Sequence, residues 1–174
     1  MSTTLVIPAK LGNKVQGLAK SKGVPVEELV ITALDEAFKL LNPREKAEVY
    51  LELCDKYLSE AEEFLRERNG VQASEKGWGA AAQVVKALAA SEGRDLKAHR
   101  ALWEYVAELR EKYHDEEISA LWRGANALHI NFYENWMPID EVGLAMKDVK
   151  RLVKKVKGLI HGDRGTAGRG VVPH

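Results

Sequence analysis

Apolar residues recur at spacings of three and four along most of the chain, the period of a helix that buries one face. Pro43 follows Asn42 as a first-turn proline behind an N-cap residue. Ala47, Tyr50, Cys54, Tyr57, Ala61 and Phe64 then mark one face of a helix that the spacing extends to about Arg68. Asn69-Gly70 breaks it. The stretch 71–90 continues with Ser74, Trp78, Ala81, Val85 and Leu88, and 95–113 is striped by Leu102, Val106 and Leu109. Helical spacing returns over 116–136 through Ile118, Leu121, Ala125, Leu128, Phe132 and Trp136. It closes over 138–160 with Val142, Met146, Val149, Val153 and Val156. Five helices with short connections predict a helical bundle over residues 42–161.

Residues 1–41 read differently. Ser2-Thr3-Thr4-Leu5-Val6-Ile7 is β-rich and closed by Pro8, as expected of a short edge strand. Lys10–Lys22 then reads as a helix carrying Leu11, Val15, Leu18 and Ala19. Gly23 stands where a left-handed cap favours glycine, and Pro25 opens a second helix. A lone strand needs a partner in water, and the segment supplies no second one. The same strand of another copy would serve, which predicts a homodimer or a larger oligomer. The order strand, helix, Gly-containing turn, helix resembles the ribbon-helix-helix module. The expected architecture is therefore mainly α: a strand-helix-helix dimerisation segment ahead of a five-helix bundle. Residues 162–174 hold four glycines and no periodicity, and read as a disordered tail.

Composition narrows the function classes. The 174 residues carry 26 Lys and Arg against 26 Asp and Glu, so the net charge is zero. A protein that holds nucleic acid by overall positive charge is excluded; only a local patch could do so. No run of residues approaches the ~20 apolar positions of a membrane-spanning helix, so a membrane is not expected as a partner. Cys54 is the single cysteine, so no intrachain disulfide forms and no cysteine-based metal site is expected. His99, His114 and His161 lack metal-ligand spacing, and they read as surface histidines. No metal and no cofactor are implied, and the expected compartment is the cytoplasm.

Two blocks carry a family resemblance. Val71-Gln72-Ala73-Ser74-Glu75-Lys76, with Ala80-Ala81-Ala82 and Lys86-Ala87-Leu88-Ala89 after it, is similar to the archaeal PaREP family. So is Leu128-His129-Ile130-Asn131-Phe132-Tyr133-Glu134-Asn135-Trp136. The resemblance spans about 43–160. It implies kinship with the HEPN superfamily of nucleotide-binding helical bundles, which commonly dimerise. Some members are metal-independent ribonucleases or toxin components; others are inactive scaffolds.

An active ribonuclease of that superfamily carries an Arg and a His four to six residues apart. Arg123 and His129 satisfy the spacing, Arg to neutralise the scissile phosphate and His to move the proton of the attacking hydroxyl. Gly124 stands where a polar residue is usual. On one continuous helix six residues turn through about 600° and rise ~9 Å, so the two side chains would meet only between copies. The competing reading places His129 beside Ala125, Phe132 and Tyr133, hydrogen-bonded inside the bundle or a dimer seam, and it is preferred.

Lys147, Lys150, Arg151 and Lys154, continued by Lys157, form a basic stripe on the last helix that could track a phosphate backbone. A solvated face whose cations suit a helix C-terminus is the plainer account. Glu75 and Lys76 are adjacent and read as a cap or ion-pairing residues. Trp78, Trp103, Trp122 and Trp136 are expected in the core or at a subunit interface. The outward residues of the expected strand, Thr4 and Val6, offer no base-reading side chain. Dimerisation is thus preferred there over operator reading. The leading expectation is a homodimeric, non-catalytic binding module, one half of a toxin–antitoxin-like pair. Its partner would be a cognate protein or RNA. The alternatives are the Arg123/His129 ribonuclease and a ribbon-helix-helix DNA regulator.

Overall fold

In a computed structural model, residues 3–166 are described. Seven helices follow in order: α1 (Ala9–Lys22), α2 (Val26–Phe38), α3 (Pro43–Arg66), α4 (Gly70–Ser91), α5 (His99–Tyr113), α6 (Glu116–Glu134) and α7 (Ile139–Thr166). Among the described residues there is no strand. The expected architecture, a strand-led segment ahead of a five-helix bundle, is corrected to seven helices and no strand among the described residues. Thr3–Ile7 has strand propensity but no ladder for its backbone N–H and C=O groups, so it stays irregular, with Leu5 and Val6 in solvent. Ser2 lies outside the described residues.

The chain divides into two compact units, Met1–Asn42 and Pro43–His174. In the first, α1 and α2 pack on each other. Gly23 ends α1 at φ 65°, in the left-handed region where a Cβ would be strained, and its N–H bonds the carbonyl of Lys20 at 3.2 Å.

In the second unit α4 is the central element, packed against α3, α5, α6 and α7. Every residue from Gly77 to Ala90 is buried. A helix buried on all sides needs small side chains so that its neighbours can approach. The sequence meets this with Gly77, Gly79 and the runs Ala80–Ala82 and Ala87–Ala90, broken only by Leu88. The approach is closest at Gly77. A Cβ built there would stand 2.3 Å from Met146 Sδ of α7 and 2.9 Å from Leu128 Cδ1 of α6. Asn69 caps α4, its side-chain oxygen accepting the N–H of Gln72 at 3.1 Å.

A buried polar chain ties this core to the α6–α7 turn. Asn131 of α6, fully enclosed, donates to Ser74 Oγ of α4 at 2.8 Å and accepts the N–H of Met137 at 2.7 Å. Cys54 is also fully buried, and burial pushes its thiol up to about 12, so it is an inert packing residue. Helix α7 runs on to Thr166, past the expected end at 161; residues 167–174 of the expected tail lie outside the described residues.

Candidate functional site

The side chains with the most chemistry gather where the N-terminal end of α5 meets the C-terminal half of α6, over α4. His99 opens α5 and His129 lies late on α6; their rings meet edge to face with centroids 4.6 Å apart. Trp78 of α4 lies under both, 4.7 Å from the His129 ring and 5.5 Å from that of His99. Trp122 packs on Trp78 at 5.0 Å, Trp103 on Trp122 at 6.1 Å, and Tyr133 on His129 at 5.4 Å. Helical spacing explains the arrangement. His99 and Trp103 are one turn apart on α5, and Trp122, His129 and Tyr133 are separated by seven and four on α6, so each set shares a face.

The cluster is graded from a dry floor to a wet rim. Trp78 and Trp122 are buried, His129 is half-buried, and Trp103 (39% exposed) and Tyr133 (47%) reach solvent. Trp136 is 58% exposed and lies beyond the end of α6, not on the helix as the periodicity suggested. The left-handed cap residue Asn135 has already turned the chain there.

Burial and the nearby His99 depress the His129 imidazole to about 4, so it is neutral at physiological pH. Burial, with Glu75 close by, raises the Tyr133 phenol, which also stays neutral. The indole N–H of Trp122 has no hydrogen-bond acceptor, and the rings of Trp78 and Trp103 pack on its own. The floor is thus an uncharged aromatic and imidazole surface.

Arg123 does not join it. Helix α6 is continuous from Glu116 to Glu134, and six positions along it turn through about 600°, which puts Arg123 and His129 on different faces. Arg123 is exposed, and its neighbour Gly124 faces Asp148 of α7. The basic stripe of α7 is largely committed to carboxylates. Lys150 pairs with Glu62, Arg151 with Glu117, and Lys157 with Asp55 at 2.5 Å, while Lys147 and Lys154 are exposed. Lys76 pairs with Glu60 at 2.7 Å, an ion-pairing role as the sequence suggested. Among the described residues no group of three or more His, Cys, Asp or Glu is placed to hold a metal ion. No described helix is long and apolar enough to cross a membrane.

The sequence placed His129 beside Phe132 and Tyr133 and read His99 as a surface histidine; His99 is exposed, and what the sequence did not show is that its ring also packs on that of His129. Separated by thirty positions in the chain, His99 and His129 left no local signal of their contact.

The model of the archaeal PaREP1/PaREP8 family matches residues 49–153, well over half of the chain. The chain belongs to the archaeal PaREP1/PaREP8 family. The match takes in the whole aromatic–imidazole cluster, so these side chains sit within the PaREP1/PaREP8 part of the chain. No curated protein matches the chain, and no solved structure does.

Proposed function

We propose that the protein is a non-catalytic binding module of the HEPN type, and that its contact surface is the rim of the aromatic–imidazole cluster. The observation that carries this reading is the pairing of a rigid, neutral floor with exposed Trp103 and Tyr133 above it. Tryptophan and tyrosine held in place by packing lose little freedom on binding and dominate protein–protein contacts. A protein partner suits this surface better than RNA. The cations nearest in kind to a phosphate track, Lys150, Arg151 and Lys157, are already paired with carboxylates. The partner in a toxin–antitoxin-like pair would be a protein of this sort.

The rival ribonuclease reading needs Arg123 and His129 on one phosphate, and within one chain they face apart. The test is direct. Full-length protein and its His129→Ala variant are incubated with single-stranded and hairpin RNA at neutral pH. The binding-module reading predicts intact RNA in both samples; cleavage by the native chain that is lost in His129→Ala would overturn it.

A further inference from the structure

Trp136 is the most exposed large apolar side chain described in the second unit, yet the backbone on both sides of it is pinned. The Asn135 N–H bonds the main-chain carbonyl of Asn131 at 2.9 Å, and the Met137 N–H bonds the Asn131 side-chain oxygen at 2.7 Å. Asn131 is fully enclosed and donates in turn to Ser74 Oγ of α4. One buried residue thus fixes the chain just before and just after an exposed indole. A tryptophan held this way loses little freedom on docking. Three chain positions separate it from Tyr133, so their α carbons lie no more than about 11 Å apart and Trp136 continues the rim.

The charge around this indole has one sign. From Gly124 to Met146 the chain carries Glu134, Asp140 and Glu141 and no Lys or Arg. All three carboxylates are exposed, and none pairs with a base among the described residues. Asp140 and Glu141 suit the first turn of α7, where the helix dipole favours acids. Glu134 has no such account: it is the last residue of α6, where the dipole disfavours an acid. The bundle itself shows how a cation fits a ring, with Arg94 over Tyr105 at 4.7 Å and Lys76 over Tyr57 at 5.1 Å. Tryptophan is the best ring for such a contact, and no described cation lies over Trp136.

We propose that Trp136 takes a basic segment of the partner protein, an arginine or lysine side chain lying on the indole with Glu134 and Asp140 as its counter-charge. The proposal rests on the reading of the Trp103 and Tyr133 rim as a docking surface, and it gives the partner's facing surface a sign of charge.

The indole N–H resonances of the full-length chain, titrated with a synthetic peptide of alternating arginine and glycine, test it. The control peptide carries citrulline, which keeps the shape of arginine and lacks its charge. The arginine peptide should shift the Trp136 resonance saturably at millimolar concentration and leave those of buried Trp78 and Trp122 in place; the citrulline peptide should do neither. The double variant Glu134→Gln, Asp140→Asn, both positions exposed, should keep its helicity by circular dichroism and bind the arginine peptide about threefold more weakly or worse. An unmoved Trp136 resonance, an equal response to citrulline, or a response undiminished in the double variant would overturn the proposal. So would a Trp136 resonance that shifts as the protein alone is concentrated, which would put a second copy there. Photo-cross-linking from position 103 in the native host reads the rim separately. Capture of a partner there, with the arginine peptide silent at Trp136, overturns this proposal alone; no capture overturns the rim reading and this proposal with it.

Discussion

Replacing Gly77 by alanine probes the centre of the fold. In a helix interior the change ordinarily gains about 1 kcal/mol, because alanine loses less backbone freedom on folding. At Gly77 the new Cβ would lie 2.3 Å from Met146 Sδ and 2.9 Å from Leu128 Cδ1, against about 3.5–4.0 Å for unstrained contact. Met146, only 2% exposed, would have to retreat by more than 1 Å within the core. Overpacking of this kind costs about 1–3 kcal/mol, so the net change is a loss of up to ~2 kcal/mol. Gly158 of α7 is the control: nothing lies within 4 Å of its Cβ position. Gly158→Ala should therefore stabilise by up to ~1 kcal/mol. Urea unfolding followed by circular dichroism and tryptophan fluorescence separates the two. In a Met146→Ala background the tighter of the two clashes disappears, leaving only that with Leu128 Cδ1, and Gly77→Ala should cost less than in the native background. If Gly77→Ala in the native background stabilises as much as Gly158→Ala, the close three-helix contact is wrong.

The remaining predictions concern polar groups. His129 has a folded-state pKa near 4 against 6.5 for an exposed histidine, so the unfolded chain binds the extra proton between those values. The stability this supplies is fully present above pH 6.5 and is lost as pH falls toward 4. It amounts to about 1–2 kcal/mol after discounting for a half-exposed ring. His129→Gln should flatten that slope in urea unfolding at pH 7 and 4.5; an unchanged slope would remove His129 as its source. Asn131→Leu should cost about 2–4 kcal/mol, because it strands both Ser74 Oγ and the Met137 N–H, and thermal unfolding reads it. Asp115 both caps α6, accepting the Glu117 N–H at 3.1 Å, and pairs with Lys155 at 2.6 Å. Asp115→Asn keeps the cap and should cost less than ~1 kcal/mol; Asp115→Ala loses both and should cost about 1 kcal/mol more.

The elements of residues 43–160 were legible because their punctuation is local. Pro43, Asn69-Gly70 and Pro138 act on the backbone within a turn of themselves, and the helices begin and end within a few residues of them. What was not legible depends on partners distant in the chain. Helix α4 reads as having one apolar stripe because Gly and Ala count for little in a hydrophobic pattern, yet those residues let four helices close around it. The contact of His99 with His129 joins two helices through tertiary packing alone. The expected strand failed for the opposite reason: Leu5-Val6-Ile7 has the propensity, but propensity without a pairing edge makes no ladder. Gly162 reads as the start of a tail, whereas an isolated glycine costs a helix only about 1 kcal/mol, and α7 continues through it.

The rim formed by Trp103 and Tyr133 is the proposed docking surface for a partner protein. A photoreactive phenylalanine analogue placed singly at 103, at 133 and at Arg44, whose side chain is 79% exposed on α3, tests it in the native host. Positions 103 and 133 should cross-link to one and the same heterologous protein, and position 44 should not. Cross-links from 103 and 133 that match those from 44, or none from either rim position, would contradict it.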